Sequence, residues 1–527
     1  MHDSSLETIG GQSPDSLTTL LRVRERGTLF VVCALLVLVP FFVVTIPPIT
    51  DLPQHLAQIR LLVEALANPD GLYRIQWWTP YSLSYALLTL TRAVAPPPLA
   101  GRLALAIIAV LWVVAAHALA ASRRRSPLAA VLASLFVFSH VLYWGFLSFA
   151  IGWPFFVAWM LLSRREMHRT GDVLGLAAVG LALYASHALW LLAGIAWIGV
   201  VSLADAARVL HSRGPARLLF RPMLWRACAL APAVIALAAW TPHFQASGAQ
   251  APAVWNTTPL ARLDPRWIVD AALGGLRGWP EWLLMGVVAV WLVTALVQHR
   301  RQLFEAVDVP LLLGSALLGL FALFLPDKYM HTTHLAQRWM PTAVVLLLLG
   351  MPAPRLRPAL HRSAVVGCAG AFVVVTAMSW ISFERRELTG LAAAIERLPP
   401  NPRVLGLDYQ QTSELVRARP FLQAYAWAQV YKGGTLNFSF ASFPTSIVVF
   451  RSDRPTPWTP RLYWYPDRLR ATDLDHFDYV IVNGTPGAHR AAMTAWPFVP
   501  LTTTGRWRLY RVDHGTAVAA RKPELRG

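Results

Sequence analysis

Asp51 is an acid in an apolar setting. It follows the apolar run 28–47 and has Pro47, Pro48, Ile49 and Leu52 around it. A carboxylate held against lipid is costly unless it has a partner or a task. Partial desolvation raises its pKa toward that of a useful general base. The position, two residues before Pro53, also suits a helix N-cap, and the two roles can coexist. His55 lies one helical turn further on, so both side chains can face one side. Such a pair can contribute to a divalent metal site, which needs further ligands; the alternative is an interfacial imidazole held by hydrogen bonds.

A second cluster is the segment 327–338, Asp-Lys-Tyr-Met-His-Thr-Thr-His-Leu-Ala-Gln-Arg, between two apolar runs. Lys328, His331, His334 and Arg338 together suit an anion, and phosphate is the natural match for Arg and Lys. Snorkelling to lipid headgroups explains Lys and Arg at span ends equally well. Ionisable groups inside apolar runs form a third set. His140 and His187 fall near the ends of their runs, on the side expected for Asp51, whereas His117 is deeper; each is a binding candidate or a satisfied packing residue. Cys33, Cys228 and Cys368 all lie within apolar runs, without metal-site spacing.

The composition says what must position these groups. Of 527 residues, 55% are hydrophobic and 14% charged, against about 25% charged in soluble domains. This excludes an ordinary soluble enzyme and a disordered chain. The net charge of +19 would suggest nucleic acid in a soluble protein. Here the basic residues cluster between apolar runs, as the positive-inside rule requires, so a lipid bilayer is the expected partner and nucleic acid is not. Apolar runs near 28–47, 100–121, 127–143, 146–163, 173–187, 188–204, 224–242, 281–298, 309–325, 339–352 and 364–382 predict about eleven crossings. Arg123 to Arg125, Arg164 to Arg169, Arg208 to Arg226, His299 to Arg301 and Arg355 to Arg362 then all fall inside the cell if 80–96 does not cross. That segment carries Arg92, ends at Pro96-Pro97-Pro98 and is too short for a span of about 20 residues.

The expected fold is therefore an all-α polytopic membrane protein with a small C-terminal extracytoplasmic α/β domain. Residues 1–24 read as a disordered cytoplasmic tail, 25–385 as the membrane domain, 386–515 as the α/β domain and 516–527 as a disordered tail. The first outer loop, 48–99, holds an amphipathic helix over 51–67 that would lie on the outer leaflet. A second loop, 243–280, and the span after it hold Trp255, Trp267, Trp279 and Trp282, an aromatic belt. In the tail domain, 403–409, 445–450, 478–483 and 506–512 predict strands, and 412–430 and 487–495 helices. That domain has no nucleophile elbow, P-loop or dinucleotide fingerprint.

An acid opening a long first outer loop, many spans and a C-terminal α/β domain resemble the GT-C superfamily of integral-membrane glycosyltransferases. Asp51-Leu52-Pro53-Gln54-His55-Leu56-Ala57 is similar to the Asp-x-Pro-x-His-Leu-Ala stretch of an uncharacterised bacterial branch related to it. Gly145 to Pro154 and Gln337-Arg338-Trp339-Met340-Pro341 look similar to segments of the same group. The resemblance covers roughly 25–385. It implies a bacterial inner-membrane enzyme that passes a sugar from a polyprenyl-phosphate carrier, with inversion, to a glycan, lipid or protein acceptor on the outer face. Asp51 would be the general base. Lys328, Arg338 and His331 or His334 would meet the carrier phosphate, with His55, His140 and His187 as further substrate contacts. Many relatives carry paired acids in the first loop; here the next acids are Glu64 and Asp70, which leaves a divalent metal possible and not required. A non-catalytic lipid- or glycan-binding protein and a transporter are the rival readings.

Overall fold

The computed structural model describes residues 14–515, apart from 167–168, 214, 216, 247–251, 331 and 452–455. His331 and the end segments 1–13 and 516–527 lie outside the described residues. The chain opens with helix α1 (Pro14–Phe42). The tail expected to be disordered over 1–24 is thus helical from Pro14, because proline suits a first helical position and extending a helix costs less than nucleating one. Then come α2 (Leu52–Ala67), strand β1 (Tyr73–Ile75), α3 (Ser82–Val94), α4 (Pro97–Ser122) and α5 (Pro127–Ser134). The short α6 (His140–Trp144) and α7 (Leu147–Ala150) break the chain before α8 (Gly152–Leu162). The bundle continues through α9 (Thr170–Ser186), α10 (Ala188–His211), α11 (Arg217–Ala246), α12 (Pro265–Ala272), α13 (Pro280–His299), α14 (Leu303–Ala306) and α15 (Val309–Phe324). A hairpin of β2 (Lys328–Tyr329) and β3 (Thr332–Thr333) leads into α16 (Met340–Gly350), α17 (Pro358–Glu387) and the short α18 (Leu391–Glu396).

All eleven apolar runs coincide with helical segments. Among the described residues, seven helices are long and apolar enough to cross a membrane, and Leu147–Leu162, Thr170–Ser186 and Val309–Phe324 are shorter apolar helices. The chain is a multi-pass membrane protein. Helix α3 has 13 residues, a length of about 20 Å against a hydrocarbon core of about 30 Å. It packs on α4 and α9 instead of crossing.

The C-terminal sheet is built from β4 (Arg403–Asp408), β5 (Thr435–Leu436), β7 (Tyr479–Asn483), β8 (Phe498–Pro500) and β9 (Trp507–Val512), in the order β5-β4-β7-β9-β8. β4 runs parallel to β5 and β7, and β9 antiparallel to β7 and β8. Strand alternation divides its side chains between two cores. Leu405, Leu407, Val480 and Val482 pack with Phe498 and Tyr510, while Val404, Ile481 and Leu509 join the core that runs through the membrane helices. The predicted strand near 445–450 is β6 (Val448–Phe450), which pairs with β1 of the first loop and not with the sheet. Helix α20 (Pro486–Ala495) forms where 487–495 was expected, with Thr485 accepting from the Ala488 N–H as its cap.

Two expectations change. Helix α2 does not lie on the membrane surface: Leu52 to Ile59 are all buried. The Gln54 side chain bonds Gln423, Phe438 and Phe440, and Gln58 accepts from the Val448 N–H, so its polar face is spent on the C-terminal domain. The segment 412–430 is not one helix. Arg417 N–H donates to the Gly275 carbonyl and Arg277 N–H to that of Leu415, and helix follows this extended pairing only as a 3-10 turn at Ala424–Ala426 and as α19 (Trp427–Lys432).

Candidate functional site

The chain after α1 reaches the face of the bundle that carries the C-terminal sheet and turns into α2 at Asp51. Asp51 N–H donates to the Trp144 carbonyl at 3.2 Å and Thr50 N–H to that of Tyr143 at 3.0 Å. This approach needs Gly145: its φ is +80°, and a Cβ there would lie 2.8 Å from the Asp51 nitrogen. Asp51 holds the N-cap position of α2, yet its carboxylate makes no capping hydrogen bond. The residue as a whole is half-buried, and protein surrounds its carboxylate. Burial pushes its pKa up to about 7, against the opposing pull of the Arg338 cation.

His55 is tied on both sides. Its Nε2 lies 3.0 Å from the Gly145 carbonyl and its Nδ1 3.3 Å from the Tyr85 hydroxyl. A carbonyl only accepts, so Nε2 carries the proton and Nδ1 accepts from Tyr85. Burial lowers the pKa of His55 to about 4, which keeps the ring neutral. It therefore serves to hold Gly145 beneath Asp51, and offers no free nitrogen to a metal or a substrate.

Arg338 is buried in the turn before α16. Its Nε and Nη2 donate to the Thr333 carbonyl at 3.2 and 2.9 Å, and its guanidinium lies 3.7 Å from the centroid of the Phe146 ring. Its Nη1 points at His187 Nε2, 3.4 Å away. The Leu189 N–H donates to His187 Nδ1 at 3.1 Å, so the neutral ring must carry its proton on Nε2. Two donors then face each other with no acceptor between them. An anionic oxygen placed there would accept from both.

The loop that presents Arg338 is anchored by Asp327. One carboxylate oxygen accepts from the backbone N–H of Asn256 and Thr257 and from Arg262 at 2.7, 3.3 and 2.9 Å, and the other from Gln337 at 2.7 Å. Arg262, fully buried, also donates to the carbonyls of Ala322, Leu323 and Leu325 at the end of α15, where the helix dipole favours a cation.

The structure thus brings Asp51, Arg338, His187, His334 and His140 to one place. The His334 ring lies 4.3 Å from Trp144 and 4.8 Å from His140, and burial lowers its pKa to about 4. His140 keeps a buried Nε2 without a hydrogen-bond partner. Lys328 lies on β2, cross-strand from Thr333, bridged to Val254 and half-exposed; the cation acting on Asp51 is Arg338. His117 packs edge-on to Phe30, away from this site. Among the described residues no group of three or more His, Cys, Asp or Glu side chains could hold a metal.

Several lining residues escaped sequence reasoning. Tyr81 stands edge-on to His187 at 4.7 Å, and Phe440 to His55 at 5.2 Å. Arg419 lies over Trp464, and its charge reaches His334. The phenol of Tyr463 feels the Asp51 carboxylate. Phe440, Arg419 and Tyr463 come from the C-terminal region, so no local motif could have joined them to Asp51.

The fold defines the class: this is a polytopic, mostly helical membrane protein with a small C-terminal sheet region. Among solved structures it is similar to ArnT from Cupriavidus metallidurans bound to undecaprenyl phosphate, with a TM-score of 0.50, 13% identity, and 92% of this chain and 97% of that chain covered. The apo state of the same protein gives a TM-score of 0.50 at 12% identity, covering 93% and 98%. No protein-family model and no curated protein matches the sequence.

Proposed function

We propose that this protein is a bacterial inner-membrane glycosyltransferase that moves a sugar from a polyprenyl-phosphate carrier to an acceptor at the outer face, with inversion and with Asp51 as general base. The observation that carries this reading is the uncapped carboxylate of the half-buried Asp51, set against Arg338. The ArnT structure with undecaprenyl phosphate, on the same fold, supports the choice of carrier. The positive-inside pattern supports a cytoplasmic N-terminus and an extracytoplasmic C-terminal domain.

In this mechanism Asp51 takes the proton of an acceptor hydroxyl or amine. The acceptor's electron pair attacks the anomeric carbon while the bond from that carbon to the phosphate oxygen breaks. The polyprenyl phosphate leaves with that electron pair. Its developing charge is met by Arg338 and by the His187 Nε2–H, donors already in place in a site shielded from water. His334 and His140 stay neutral beside the sugar path, with Trp144 and Phe146 as its apolar wall. A divalent metal fits poorly at Asp51: both His55 nitrogens are engaged, which leaves a single carboxylate, so no step is routed through a metal.

The test uses purified protein in lipid with a panel of polyprenyl-phosphate sugars, following release of free polyprenyl phosphate. Release that disappears in Asp51→Asn is the expected result. Donor binding without turnover, equal in both proteins, would replace this reading with a glycan- or lipid-binding role. No binding of any donor would overturn it and favour a transporter.

A further inference from the structure

The opposite end of the bundle holds a recess of about 420 Å³, lined by Glu25, Arg26, Arg124, Arg125, Pro127 and Pro352 among others. It lies where the spans Arg24–Phe42 and Pro127–Trp144 begin and Pro97–Ser122 ends, that is, at the edge of the hydrocarbon. Its charges are unequal in function. Arg125 is spent on structure: Nε, Nη1 and Nη2 donate to the carbonyls of Leu349, Ala306 and Gly350 at 2.9, 3.1 and 2.9 Å. The carboxylate of Glu25 is paired with Arg362 at 2.5 Å. Arg123 is paired bidentately with Asp308. Arg26 gives one Nη2 hydrogen to the Arg125 carbonyl at 3.1 Å and keeps its other donors. Arg124, held at a φ of +53°, is exposed and has no side-chain hydrogen bond or ion pair among the described residues. Helix α5 starts in the same recess, with Ser126 as its cap, and adds the positive end of its dipole.

We propose that this recess binds the phosphate of an anionic phospholipid headgroup, with Arg26 and Arg124 as the phosphate ligands. A phosphodiester supplies the acceptor oxygens that two guanidinium groups can share. Pro127 and Pro352 give the glycerol backbone an apolar wall, and the adjoining spans give the acyl chains a path. Basic pockets between spans recognise lipid headgroups in this way. The site is independent of glycosyl transfer and would exist in a protein with no turnover.

The experiment measures retention of phosphatidylglycerol by the full-length protein in nanodiscs of otherwise zwitterionic lipid. One comparison is the Arg26→Gln/Arg124→Gln double variant. The other is Arg300→Gln/Arg301→Gln, which removes the same charge from an exposed basic cluster. A second arm competes with inorganic phosphate and glycerol 3-phosphate. Both double variants lose the general surface attraction, roughly 1 kcal/mol or about fivefold per basic residue, so the control loses at most about 25-fold, and the recess double variant, which also loses charge-assisted hydrogen bonds to the phosphate, loses several-fold more. Arg124→Gln alone, at an exposed and unpaired position, carries the test if the double variant fails to fold. Equal losses in both double variants, or no loss in either, would overturn the proposal. Competition by inorganic phosphate as strong as by lipid would overturn the lipid assignment.

Discussion

Two aspartates stand at the same membrane face in opposite conditions. Asp327 accepts four hydrogen bonds and is paired with a fully buried arginine. Asp51, which holds an N-cap position, makes no side-chain capping bond and meets its cation, Arg338, only through space. Asp327 is an acid used up in holding a loop. Asp51 is an acid with Gly145 and His55 keeping neighbouring backbone in place, and among the described residues no side-chain capping bond consumes it. The difference separates a carboxylate committed to holding a loop from one with no side-chain capping bond.

The contrast breaks most sharply on turnover. Asp51→Asn is expected to lower sugar release by about 10²–10⁴-fold, the usual contribution of a general base, with the melting temperature held or raised. Asp327→Asn is expected to reverse the pattern, destabilising the protein by about 3–5 kcal/mol because Arg262 is left buried without its partner; thermal unfolding in detergent reads this. Similar effects from both variants would erase the distinction. Next in size, Arg338→Gln should cost about 10²-fold in kcat/KM through lost stabilisation of the leaving phosphate, measured under subsaturating donor.

A pH series sharpens the same point. A base with a pKa of about 7 makes kcat/KM rise about tenfold per pH unit below 7 and level off above it. Stability runs the other way. Between the ordinary carboxylate value and about 7, the folded protein binds a proton that the unfolded chain has released, so Asp51 makes stability fall as pH rises through this window. Melting curves of wild type and Asp51→Asn should therefore diverge with rising pH, with the variant the more stable at pH 8. The smallest effect belongs to Lys328→Gln, within about twofold on turnover, since Lys328 is half-exposed on the hairpin and the cation acting on Asp51 is Arg338.

The membrane plan was legible because it rests on local patterns: apolar run length, flanking arginines, and the Pro-rich end that stops α3. Strands β4, β7 and β9 were legible from short β-branched runs. Asp51 stood out because an acid between prolines and an apolar span is locally expensive. What was not legible depends on distant partners. The facing of Arg338 and His187 spans 151 positions. The part His55 plays is set by Gly145, 90 residues on. The 412–430 segment has helical composition, but its backbone is claimed by residues 275–277. The burial of α2 could not be read from its own amphipathic pattern, because Gln54 and Gln58 are polar residues with partners in another domain.

Those glutamine contacts also govern timing. Gln54 and Gln58 meet partners 369 to 390 residues later in the chain, and β1 pairs with β6 across a similar gap. At about 5–20 residues per second of synthesis, the helix behind Asp51 waits roughly 20 to 80 seconds for the strand and loops that complete its surroundings. During that interval the first loop is in place and its acid lacks the C-terminal part of its surroundings. Any chain cut short before Val448 would lack the partners of Gln58 and of β1, so the surroundings of Asp51 depend on residues made long after it.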